Sequence, residues 1–248
     1  PGNPDAECKL AQLVRACRGL AEACRAYGLP LVSGKDSMKN DAVAGGRRIS
    51  VRPTLLVTLT GLVGDVRKVP STDFPGPGLL VYLLGRTEGA LGLSLLERVE
   101  GLRFGDPPGI DPAAAVPLYR ALARGISGRL VLSCHDLSDG GLAAAAAESC
   151  LGGRVGADLV LDALPGAEAA EPVRILFSES PSRLLVSVRA ADRERFERSF
   201  SGLPHRLLGT TTAEPRLRFR HAGREVLSAA LDGLESAYKT PIAGRRYP

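Results

Sequence analysis

Leu130-Val131-Leu132-Ser133-Cys134-His135-Asp136-Leu137-Ser138-Asp139-Gly140-Gly141 is the stretch that decides the fold. An apolar run gives way to a polar turn closed by two glycines, and the alanine-rich segment 142–150 follows at once. Strand, tight turn and helix in direct succession are the unit from which α/β layers are built. A helix that starts there presents N–H groups without intrahelical partners, together with the positive end of its dipole, and both suit an anion. Gly140 and Gly141 let the backbone approach a ligand closely. Asp136, at the strand end, suits Mg²⁺, whose octahedral demand is met by carboxylate, water and phosphate oxygens; Ser138 can bond a phosphate or a water on the metal. The same residues admit a structural reading, in which Ser138 or Asp139 caps the helix and the glycines permit close packing. On the residues alone the two readings stand level. His135 reads as a supporting neighbour rather than a general base.

Outward from this centre, helix and strand signals alternate. Strands are expected at 79–84, 129–134, 155–161, 183–188, 206–211 and 216–220. Helices are expected at 90–99, 111–125, 140–150, 191–200 and 228–238. The order is mixed α/β (α+β), with some neighbouring strands antiparallel. Upstream, residues 3–27 read as a helix with Asn3 as N-cap, Pro4 in the first helical position and Gly28 as the stop. Residues 29–32 and 49–63 read as strands. This leading part buries little by itself, so it is expected to lean on the larger domain or on further chain, and the boundary is set at residues 1–63 and 64–248.

Two more segments carry polar side chains in suggestive places. Ser33-Gly34-Lys35-Asp36-Ser37-Met38-Lys39-Asn40-Asp41 holds two of only five lysines, against 27 arginines, and the sole methionine. A compact ammonium is not replaced by guanidinium where a point charge meets a phosphate, so Lys35 and Ser37 are candidate phosphate contacts. The GxxxxGK spacing is absent. Asp36 stands as a supporting metal or ligand residue, against the alternative of a solvated, charge-balanced turn. The third segment is Leu176-Phe177-Ser178-Glu179-Ser180-Pro181-Ser182-Arg183, a polar turn before a strand; Glu179 either supports the site or is an ordinary solvated carboxylate.

The net charge of +5 invites a nucleic-acid reading, but the arginines are scattered, Arg47-Arg48 and Arg245-Arg246 are isolated doublets, and aromatics are 4% with no tryptophan. A mildly cationic protein that handles small phosphorylated anions fits better. Five cysteines (Cys8, Cys17, Cys24, Cys134 and Cys150) show no CxxC or Cys/His metal spacing, which reads as reduced thiols in a cytoplasmic protein. No apolar run reaches the ~18 residues of a membrane span. The first residue is Pro1, which reads as a chain processed, trimmed or cut from something longer.

GNP at 2–4, SGKDSMK at 33–39, HDLSDGG at 135–141 and LFSESPSR at 176–183, in this order, resemble the synthetase part of formylglycinamide ribonucleotide amidotransferase (phosphoribosylformylglycinamidine synthase), of the aminoimidazole ribonucleotide synthetase superfamily. The GKDSMK loop points away from the relatives thiamine-monophosphate kinase and selenophosphate synthetase. The resemblance implies a C-terminal α/β synthetase subdomain with a mixed sheet, preceded by the end of an N-terminal β-rich subdomain. It implies a reaction of formylglycinamide ribonucleotide, ATP and glutamine-derived ammonia that yields the amidine, ADP and phosphate. It implies ATP or ADP with Mg²⁺ as cofactors, Asp136 as the magnesium ligand and Ser138 as a nucleotide contact, with other metal ligands upstream of Pro1. Gly140, Gly141, Lys35 and Ser37 complete the expected phosphate set, and Asp36, His135, Asp139 and Glu179 the supporting one. The partners expected are the missing first half of the synthetase and a glutaminase domain or subunit, with a homodimer possible and this chain inactive alone. Two alternatives stay open: a non-catalytic dimerisation or structural module, and another ATP-using kinase or synthetase of the superfamily.

Overall fold

The structure, a computed structural model, describes residues 3–51, 53–168 and 170–240. Pro1, Gly2 and the Arg245-Arg246 doublet lie outside the described residues. The chain divides into two units, Pro1–Gly64 and Asp65–Pro248.

The first unit is built on α1, Glu7–Tyr27. Gly28 ends it in the left-handed conformation (φ 67°), where a residue without Cβ carries no steric penalty. The start differs from the expectation. Ala6 is the N-cap and gives no side-chain bond, while Asn3 accepts from the Asp5 N–H through Oδ1 at 3.2 Å, forming a local turn before the helix. Strands β1 (Asp41–Ala44) and β2 (Arg47–Ser50) pair antiparallel around Gly45-Gly46. Both glycines have positive φ, as a two-residue hairpin turn requires. Residues 29–32 form no strand, and the second expected strand stops at Ser50. The reason is backbone pairing. A strand exists only where a neighbour takes its N–H and C=O groups, and among the described residues β1 and β2 pair with each other alone. Leu56 (89% exposed) and Leu62 (103%) show that the apolar run has no covering layer within these residues.

The second unit holds a seven-stranded sheet. Its strands in chain order are β3 (Leu80–Leu84), β4 (Ser133–Asp136), β5 (Gly156–Val160), β6 (Leu184–Val188), β7 (His205–Thr212), β8 (Arg216–His221) and β9 (Arg224–Ala230), arranged spatially as β4-β6-β3-β7-β5-β8-β9. β5 and β8 run parallel and the other neighbours antiparallel, which makes the sheet mixed. Its helices are α2 (Leu95–Glu100), α3 (Pro112–Ser127), α4 (Gly141–Gly153), α5 (Pro172–Phe177), α6 (Arg193–Ser199) and α7 (Leu231–Lys239).

Strand alternation decides which helices cover which face. Val81, Leu83 and Leu185 point into one core with Leu142, Ala145 and Ala146 of α4, Ile175 of α5 and Leu231 of α7. Tyr82, Leu84, Val186 and Val188 point the other way, onto Leu118 and Leu122 of α3 and Phe196 of α6. Phe196 packs against Tyr82 on one side and Phe200 on the other, with ring centroids 4.6 Å apart in each pair. Helices therefore cover both faces of the sheet.

Some boundaries moved for identifiable reasons. The helix expected at 90–99 starts only at Leu95, because Ser94 caps it by accepting from Glu97 N–H. The strand expected at 129–134 lies at 133–136, and the expected final helix gives up its first turn to β9, which completes a hairpin with β8. The described residues contain no helix long and apolar enough to cross a membrane.

Candidate functional site

β4 is the outer strand beside β6, with Asp136 opposite Leu184. The chain then turns through Leu137, whose N–H donates to the Arg183 carbonyl (3.0 Å) and whose side chain is buried. That anchor leaves Asp136, Ser138 and Asp139 exposed at the rim, the Asp136 side chain at 73%. Neither Ser138 nor Asp139 caps α4, whose N-cap is Gly140 with φ 79° and no side-chain bond. The capping half of the structural reading is thereby removed.

The glycines prove to be packing positions. A Cβ on Gly141 (φ 64°) would run into the Ser178 carbonyl and stand 2.9 Å from that of Leu176, and one on Gly140 would stand 2.8 Å from the Ala144 Cβ. Their N–H groups are also engaged: Gly140 donates to Glu179 Oε1 at 2.8 Å and Gly141 to the Ser138 carbonyl at 3.0 Å. In this conformation the turn offers a ligand its side chains rather than these two amides.

His135 is largely covered, with its side chain 13% exposed. Its Nε2 is 2.8 Å from Glu148 Oε2; a carboxylate accepts, so Nε2 carries the proton. Nδ1 is buried without a hydrogen-bond partner and lies 3.7 Å from Asp136 Oδ1. His135 thus sits behind Asp136 rather than at the rim. Cys134, the preceding residue, has its thiol pushed up to about 11, by burial first and by the Asp136 charge second. A hollow of about 390 Å³ opens beside His135 and Glu148 and reaches Arg154 and Glu235.

Glu179 is not a solvated loop carboxylate. Its Oε1 accepts from Gly140 N–H and also from Leu95 N–H, each at 2.8 Å. The loop that presents it is organised by Arg183, which the sequence reading quoted but did not single out. Arg183 is 1% exposed and donates to the carbonyls of Ser178 and Ser180 and to Thr87 Oγ1. Burial pushes its guanidinium down to about 10, and the Glu179 and Glu88 charges partly oppose that. An arginine directly before the nearly continuous apolar run Leu184–Val188 was the available signal.

Lys35, Asp36 and Ser37 lie in the first unit. They line a cavity of about 440 Å³ whose apolar wall includes Leu13, Leu20, Met38 and Leu55. Lys35 and Asp36 are exposed and Ser37 half-buried. Lys39 reaches Asp5 at 3.4 Å. Asp41 is held below the ordinary carboxylate range; burial opposes this, while Ser50, Lys9 and the Asn3 backbone bring it about.

Among the described residues no three His, Cys, Asp or Glu side chains converge as a metal cage. Asp136 offers one hard carboxylate oxygen pair. That fits Mg²⁺ carried on a nucleotide, which keeps several waters and takes one or two carboxylates plus phosphate oxygens, rather than a cation held by protein alone.

Residues 76–222 match the family model of the AIR synthase related protein, C-terminal domain, and the chain belongs to that family. Within it, the similarity is to phosphoribosylformylglycinamidine synthase subunit PurL. The identity is 36% to the subunit of Gloeobacter violaceus over 98% of this chain and 32% of that one. It is 36% to that of Thermobifida fusca over 97% and 30% respectively. The chain spans about a third of the length of these relatives. Among solved structures, Thermotoga maritima PurL complexed with FGAR superposes with TM-score 0.60 at 25% identity, over 68% of this chain and 30% of that one. The same protein complexed with ATP gives 0.56 at 24%, over 68% and 27%, and so speaks for the fold.

Proposed function

We propose that this chain is a C-terminal portion of the synthetase of a phosphoribosylformylglycinamidine synthase, and that its part is to hold a magnesium–nucleotide at the turn 136–141. The unit Pro1–Gly64 would then be the end of an N-terminal synthetase subdomain and Asp65–Pro248 the C-terminal one. The observation that carries the reading is the rim itself: Asp136 and Ser138 are exposed at the end of an anchored strand, in a chain with this family membership.

The whole enzyme would use ATP to activate the amide oxygen of formylglycinamide ribonucleotide and let glutamine-derived ammonia displace it, releasing ADP and phosphate. Asp136 would take one coordination position on the cation, and Ser138 would hydrogen-bond a phosphate oxygen. Bound magnesium supplies neutralisation of phosphate charge. Lys35 and Ser37, on the apolar-walled cavity of the first unit, would contact a phosphate group there. With Asp136 the one carboxylate assigned to the cation, the chain would need ligands from a partner segment, and it would turn over no substrate alone. Those partners would be the other synthetase half and a glutaminase, with a second copy of this chain as a further candidate.

A titration of the 248-residue chain with ADP, with and without Mg²⁺, tests this. The native chain should bind more tightly with the metal, and Asp136→Ala should lose about tenfold of that gain, roughly 1.4 kcal/mol. Equal affinities would remove Asp136 from the site. A second reading, a structural module without nucleotide, draws on the engaged amides of Gly140 and Gly141. Absence of ADP binding in the native chain would favour it.

A further inference from the structure

We infer that Glu179 is a positioning residue for the nucleotide turn, held in place by Arg183; the inference rests on the function proposed above. Glu179 Oε1 receives Gly140 N–H, immediately before α4, and Leu95 N–H, the first residue of α2. Two helix starts, each a concentration of unpaired N–H groups and positive dipole, meet at a single carboxylate oxygen. Without that acceptor oxygen the Leu95 and Gly140 N–H groups would lose their shared partner.

The support behind Glu179 is equally specific. Arg183 fixes the loop by taking the carbonyls on either side of Glu179, those of Ser178 and Ser180, and it reaches across to Thr87. Ser180 Oγ accepts from Glu88 N–H at 3.1 Å and shares a 2.7 Å bond with Ser178 Oγ. Residues 178–183 therefore tie the stretch 87–95 to the turn 136–141. Ser138 depends on this tie, because its side chain is exposed and the backbone of the turn sets where it stands; Asp136, the last residue of β4, is held by its pairing opposite Leu184 and borders the same turn.

The test compares Glu179→Gln, Glu179→Ala and Glu179→Asp in the 248-residue chain, by amide hydrogen exchange at Leu95 and Gly140 and by Mg–ADP titration. Glu179→Gln keeps an acceptor oxygen at the same reach; it should hold both amides and retain affinity within about threefold. Glu179→Ala should speed exchange at both amides together and weaken Mg–ADP by about tenfold, the size of one lost charge-assisted bond. If the alanine variant does not fold, Glu179→Asp carries the test, since its shorter side chain cannot span both donors. It should lose protection and affinity despite keeping the charge. Native protection of both amides in whichever of these two variants folds would overturn the inference. Faster exchange with native Mg–ADP affinity would overturn it equally. A native chain that binds no Mg–ADP defeats the functional reading instead, and coupled exchange at the two amides then decides the clamp.

Discussion

Replacing Arg183 by methionine sets two large effects against each other. Burial pushes the guanidinium from an ordinary 12.5 to about 10, so holding the charge costs the fold on the order of 3 kcal/mol, and Arg183→Met recovers that. Methionine also fills much of the same volume. Against this, the carbonyls of Ser178 and Ser180 and the hydroxyl of Thr87 lose their donor. Each buried polar group left unmet costs ~1–3 kcal/mol, roughly 6 kcal/mol for three. The balance is a loss of about 3 kcal/mol, which for a unit of this size lowers Tm by roughly 6–12 °C. Thermal unfolding followed by circular dichroism, with guanidinium midpoints as a cross-check, measures it. Arg183→Lys should fall between, since an ammonium cannot meet three acceptors in the fork geometry. A methionine variant as stable as the native chain, or more so, would refute the reasoning, because it would mean that relief of the buried charge outweighs the stranded acceptors.

Two other changes should be as legible. Gly141→Ala drives a Cβ into the Ser178 carbonyl from a backbone at φ 64°, and should cost roughly 3 kcal/mol or more in urea unfolding. Tyr82, fully buried, donates to Glu197 Oε1 at 2.9 Å, and this bond is the largest cause holding Glu197 below its ordinary 4.5. A carboxyl lowered in the folded state stabilises above its unfolded value and loses that contribution as pH falls through the folded one. Tyr82→Phe should therefore cost ~1 kcal/mol at pH 7 after allowance for solvent at Glu197, with the gap to native narrowing as pH falls below the ordinary 4.5 and through the lowered folded value; a gap that is constant with pH would assign the loss to packing.

Much of the second unit was legible because its signals are local. The helix expected at 111–125 is α3, and the structure shows its start capped, with Asp111 Oδ1 accepting from the N–H groups of Ala113 and Ala114. The strand expected at 79–84 lies at Leu80–Leu84. What escaped depended on partners distant in sequence. The run Leu55–Val63 has strand composition, but composition does not supply a neighbouring strand. At the candidate site, the sequence marked Asp136 and Ser138 by their place after a strand. The sites of Gly140 N–H and Glu179, 39 residues apart, could not be joined without the fold. Arg183 stayed hidden because burial of a guanidinium is a tertiary fact; on composition an arginine beside serines reads as surface.

The place of β3 in the sheet has a consequence for the chain while it is being made. β3 opens the second unit's sheet in sequence but sits inside it in space, between β6 and β7, with Leu80 opposite Val188 on one side and Thr210 on the other. At ribosomal rates of ~5–20 residues per second, the wait for both partners is on the order of ten seconds. For that interval Leu80-Val81-Tyr82-Leu83-Leu84 has neither flanking strand, and it is an uncharged, β-prone segment of the kind that associates with other chains. Synthesis speed over the stretch from β3 to β7, and access of a holding chaperone during it, should therefore set the yield of folded protein more than the stability of the finished sheet does.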